Sequence, residues 1–73
     1  MNTSGKVIWV DKTRGMFKVK CSNHRTALVE ILDFIDINID DTISGDLMDY
    51  GSSVSLYSEE NDEHFEGLIQ DLD

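Results

Sequence analysis

Between Met16 and Cys21 the side chains alternate one residue at a time. Phe17, Val19 and Cys21 fall on one side, and Met16, Lys18 and Lys20 on the other. A period of two is the period of a β-strand with one buried and one wet face, and such a face needs further strands to cover it. Gly5 to Lys12 precedes this run, is rich in β-branched and aromatic residues, and is joined to it by the turn-forming stretch "DKTRG". "SNH" ends the second run. Around Thr42 to Leu47, residues Ile43, Gly45 and Leu47 share a side, with Gly45 suited to a bulge or sharp bend. Met48 to Ser52 reads as a loop. Val54 and Leu56 then alternate with Ser53, Ser55 and Tyr57, "SEENDE" forms an acidic turn, and His64 to Gln70 makes a last strand.

The segment "RTALVEILDFI" fits two periods. Leu28, Ile31, Leu32 and Ile35 form a helical stripe, whereas Ala27, Val29 and Ile31 form a strand face with Glu30 pointing away. The neighbouring strands favour a long third strand over residues 26–35, with a short helix as the rival. Five or six short strands separated by turns predict an all-β fold, a small OB-like barrel in which closure removes the sheet edges. Residues 1–73 are expected to form one domain.

A chain of 73 residues with 40% apolar side chains has material for one small core. Folding at this size buries only about 60% of the unfolded surface, which leaves little volume for an enclosed catalytic cleft. Cys21 is the single cysteine and proline is absent. With no intrachain disulfide to form, the chain suits a reducing compartment. "MNTSGKVIWV" lacks the apolar stretch of a signal peptide, and no run approaches the ~20 apolar residues of a membrane span. A soluble, cytoplasmic protein without a membrane partner is expected.

Charge is distributed unevenly. Residues 1–25 hold all six basic side chains (Lys6, Lys12, Arg14, Lys18, Lys20 and Arg25) and one acid, Asp11, for a balance of +5. Residues 26–73 hold fourteen acids and no Lys or Arg, and the chain totals −9. Such a split between halves points to an interaction surface, against the commoner reading in which acids simply solvate exposed loops, and the net charge repels polyanions.

"GKVIWVDKTRGMFKV", Gly5 to Val19, resembles the opening hairpin of the cold-shock domain, a five-stranded barrel of the OB class. That family opens with Gly-Lys-Val-x-Trp-Phe-Asn and continues Lys-Gly-Phe-Gly-Phe-Ile. Gly5, Lys6, Val7 and Trp9 match the first run, Arg14 and Gly15 match the Lys-Gly turn, and Val19 stands at the isoleucine. The resemblance covers about fifteen residues. It implies a barrel whose outer face binds single-stranded nucleic acid by stacking bases on aromatics, each base worth ~1–3 kcal/mol. The family's two second-strand aromatics fall on Met16 and Lys18 here, and Phe17 falls on the intervening glycine, facing the core. The family's Val-Phe-Val-His-Phe motif has no counterpart; the nearest stretch is Ala27 to Ile31, with Glu30 near the histidine position. Trp9 alone remains as a stacking candidate, and a tryptophan in such a strand is more often core or half-buried than a platform.

Other motifs carry less. "DINIDDTISGDL" places Asp36, Asn38 and Asp40 at the first, third and fifth positions of a calcium loop. It has Asp41 where the sharp turn needs glycine and Leu47 where the bidentate glutamate belongs. Cys21 and His24 are two of the roughly four ligands that zinc requires. The serines lack the histidine and orienting group of a nucleophilic site, and no glycine loop cradles phosphate. No enzyme, metal or cofactor is expected.

Two functions follow. The first is a non-enzymatic acidic interaction module. It binds a protein partner with a basic surface through Glu59, Glu60, Asp62 and Glu63, or it self-associates as a homodimer in which the basic hairpin of one copy meets the acidic half of another. The alternative is a degenerate single-strand nucleic-acid binder using Lys6, Trp9, Lys18 and Lys20. It is disfavoured by the missing aromatics and the net charge.

Overall fold

The computed structural model describes residues 2–73. Six strands follow in order: β1 (Thr3–Asp11), β2 (Met16–Cys21), β3 (Thr26–Ile31), β4 (Thr42–Gly45), β5 (Ser53–Ser58) and β6 (Glu63–Leu72). They close into an antiparallel barrel in the spatial order β1-β2-β3-β6-β5-β4, consistent with a small OB-like barrel. Two three-stranded meanders are joined at both margins, β1 to β4 and β3 to β6. Each described strand thus has a neighbouring strand on both sides over part of its length.

Alternation fills the interior. Phe17, Val19 and Cys21 of β2 lie inside, beside Ala27 and Val29 of β3, and Phe17 and Phe65 meet with ring centroids 6.1 Å apart. Burial pushes the Cys21 thiol above its ordinary pKa, so at neutral pH it stays protonated and unreactive.

No helix occurs among the described residues, so the helical reading of 26–35 is overturned. The strand reading holds only as far as Ile31. From Leu32 to Asp41 the chain leaves the ladder and crosses the end of the barrel, with Ile37 inserted into the core as a plug. β4 also stops short of Leu47, because the chain bends at Gly45, whose φ of +139° lies outside the range that L-residues favour.

Two register shifts reset the alternation. Val7 pairs with Val19, but Trp9 pairs with Lys18, so Ile8 is the extra residue of a bulge. Spacing alone would put Trp9 on the inner face with Val7. The bulge turns it to the outer face, where at 39% exposure more than half of its surface stays covered, as the sequence reading allowed. Val10 then returns to the core side opposite Phe17. A second shift skips Gln70 and brings Leu72 back against the core, opposite Ala27.

Candidate interaction site

The hairpin face is assembled by register. Lys6 lies directly opposite Lys20, and Trp9 opposite Lys18, with all four exposed. Lysines facing each other across an antiparallel pair repel. Lys18 Nζ sits 5.3 Å from the centre of the Trp9 ring, a cation–π distance. The described ion pairs fall on Lys12 and Arg14 rather than on these three lysines. The strip is narrow: Lys18 is followed across the sheet by Leu28 and then by Asp71, which rims a shallow depression with Asp73. The basic and acidic parts of the chain therefore adjoin within one molecule.

The acidic end is built from three connections at the same end of the barrel: the turn 12–15, the crossing segment 32–41 and the turn 59–62. Asp36 joins them. Lys12 Nζ donates to Asp36 Oδ1 at 2.7 Å and to Asn38 Oδ1 at 2.9 Å, and Asn61 Nδ2 donates to the Asp36 carbonyl at 2.9 Å. A local turn completes the segment. The Asn38 N–H donates to Asp41 Oδ2 at 2.9 Å, and Asp41 donates back to the Asn38 carbonyl at 3.1 Å. From Asp11 to Glu63, these connections and their flanking residues carry nine carboxylates (Asp11, Asp33, Asp36, Asp40, Asp41, Glu59, Glu60, Asp62 and Glu63) against Lys12 and Arg14. Most of the molecule's net charge is gathered there.

Of the four acids expected from the sequence, Glu59, Glu60 and Asp62 lie in the turn 59–62 and Glu63 opens β6, and the structure divides them. Glu60 accepts the Thr42 N–H through Oε1 at 2.8 Å, anchoring the start of β4. Asp62 accepts from the Tyr57 hydroxyl, which pushes the Tyr57 pKa up by stabilising the phenol. Glu59 and Glu63 stand exposed. Asp33, which the sequence did not single out, and Asp40, read there only as part of a calcium-like loop, are exposed on the crossing segment. Their signal was the interleaving of Asp33, Asp36 and Asp40 with Leu32, Phe34 and Ile39. Among the described residues no group of three or more His, Cys, Asp or Glu is placed to hold a metal. The calcium-like residues Asp36 and Asn38 are instead bonded to Lys12.

The hydrogen bond from Lys12, with that from Asn38, holds the Asp36 carboxyl below the ordinary carboxylate pKa. A depressed native pKa contributes stability above the unfolded value, and that contribution is lost as pH falls through the native value. Lys12→Met is expected to raise the Asp36 pKa toward the ordinary value, as read by carboxyl-carbon NMR titration. An unmoved titration would show that Lys12 does not hold this segment.

No family profile, curated protein or solved structure matches this chain, so the barrel and the residues just described carry the functional reading by themselves.

Proposed function

We propose that this protein is a non-enzymatic interaction module that docks a protein partner's basic surface on the acidic end of its barrel. The observation that supports this is the gathering of nine carboxylates against two cations on three mutually tethered connections. Such a field speeds encounter with cationic partners and rejects anionic ones. The closed barrel leaves little strand edge, so recognition falls mainly to side chains at its surface. A second copy, presenting Lys6, Lys18 and Lys20, is one form such a partner can take.

The test uses acids that do not hold the fold. A variant combining Asp33→Asn, Asp40→Asn, Glu59→Gln and Glu63→Gln leaves the Glu60 and Asp62 bonds intact. Its association rate with a ten-lysine peptide at low salt is expected to fall by about tenfold or more relative to wild type. An unchanged rate would remove the acidic end from the contact surface.

A second reading, single-strand nucleic-acid binding, is favoured by one observation: the bulge at Ile8 exposes Trp9 beside Lys18, with Lys6 and Lys20 on the same face. One aromatic supplies a single stacking contact, and the net charge of −9 opposes a polyanion. Titrating Trp9 fluorescence with a mixed single-stranded oligonucleotide pool at low salt decides it. Saturable, salt-sensitive quenching that Trp9→Ala weakens would establish this reading, and a flat titration would dismiss it.

A further inference from the structure

The acidic end contains an apolar groove of about 280 Å³ between the turn 12–15 and the crossing segment. Its walls include Val10, Met16, Ile31, Ile35 and Ile37, and Phe34 lines it at the rim. Val10, Ile31 and Ile35 rest on the barrel core and Ile37 belongs to it, so the floor is continuous with the core. Phe34 is fully exposed and Leu32 is half exposed. The Lys12–Asp36 and Asn61–Asp36 bonds hold the segment that carries the rim. Asp11, Asp33 and Asp36 line the groove together with Lys12.

The volume sits at the small end of the ~300–1,000 Å³ usual for small-molecule and cofactor pockets and has room for one large side chain. The surroundings specify what that side chain is attached to. Lys12 is bonded to Asp36 and Arg14 is paired with Asp11, which leaves Asp33 exposed at the groove and the 59–63 acids beyond Asn61. We infer that the groove is an anchor pocket for a large aliphatic or aromatic side chain flanked by lysine or arginine on an extended segment of the partner. The side chain fills the groove against Phe34, and its cationic neighbours meet Asp33 on one side and the 59–63 turn on the other. This rests on the acidic end being the docking face, and adds that an apolar contact gives the docking its selectivity.

The test compares two fluorescein-labelled peptides, Gly-Lys-Lys-Leu-Lys-Lys-Gly and the same peptide with glycine in place of leucine, by anisotropy at low salt. Wild type is expected to bind the leucine peptide about tenfold tighter. Phe34→Ala, at a fully exposed position where folding is not at stake, is expected to abolish that preference while leaving the weak, salt-sensitive binding of the glycine peptide. Tyr50→Ala removes an exposed aromatic outside the groove and should leave the preference intact. Equal affinity of the two peptides would overturn the anchor pocket and leave the acidic docking face standing. Binding of neither would overturn both. Loss of the preference in Tyr50→Ala as well would also overturn the assignment to this groove. So would sedimentation showing a wild-type dimer that Phe34→Ala disperses, since the occupant would then be a second copy.

Discussion

Phe17→Ala is expected to leave the barrel with little or no stability at 25 °C. Phe17 comes from β2, is fully buried, and packs its ring against Phe65 of β6, two strands away round the barrel. Removing a buried phenylalanine costs about 3–5 kcal/mol, because the transferred surface is lost and the surrounding core cannot close the cavity. A domain of 73 residues has a total stability of about 4–11 kcal/mol, and the thin core of a small chain favours the lower part of that range. Urea unfolding followed by circular dichroism should show the midpoint of Phe17→Ala moved to a small fraction of the wild-type value, or no folded baseline. A midpoint close to wild type would mean that Phe17 does not hold the centre of the core.

Gly5→Ala is expected to be the next most damaging change, by a different mechanism. Gly5 lies in β1 opposite Cys21 on one side and Ile43 on the other. A Cβ at this position would stand 2.3 Å from the Lys20 carbonyl oxygen and 2.8 Å from the Cys21 Cα. These are backbone atoms, so no side-chain rotation relieves the overlap. β1 would have to part from β2, and its pairing with β4 resists that movement in a closed barrel. Overpacking of this kind costs about 1–3 kcal/mol and more where the backbone is involved. Since 1 kcal/mol corresponds to about 4–8 °C in a domain of this size, the melting temperature should fall by roughly 10 °C or more. An unchanged melting temperature would contradict the close Gly5–Cys21 pairing.

The parts of this molecule that could be read in its sequence are those that keep an uninterrupted period. Phe17, Val19 and Cys21 alternate without a break, and all three are buried as read. The face that Trp9 takes could not be read, because a bulge inserts one residue without leaving a compositional trace. Ile8 looks like any other β-branched strand residue, yet its insertion moves the tryptophan across the sheet. The third strand ends at Ile31 for a reason that lies outside the local sequence. Leu32 keeps a backbone bond to Glu66 at 3.0 Å, after which the chain must cross the barrel end to reach the start of β4. Apolar Ile35 and Ile37 serve there as lid residues, which no local period distinguishes from strand residues.

The candidate site was legible in its charge and not in its division of labour. Clustered acids in "SEENDE" marked the turn. That Glu60 anchors Thr42 and Asp62 binds Tyr57 depends on partners 18 and 5 residues away in the chain. Asp33 and Asp40 joined the site only when Lys12 and Asn61 tied the crossing segment to the two turns. Phe34 was read as part of a strand or helical run, and only the fold leaves it without cover.

The central claim is that the acidic end, rather than the lysine-bearing hairpin face, meets the partner. Titration of ¹⁵N-labelled protein with a ten-lysine peptide at low salt, followed by amide chemical shifts, tests it most directly. The predicted result is a set of shifts confined to residues 33–41 and 59–63 that fades as salt is raised toward physiological strength, where the screening length is about 8 Å. Shifts spread evenly over the barrel, or no shifts at low salt, would contradict it.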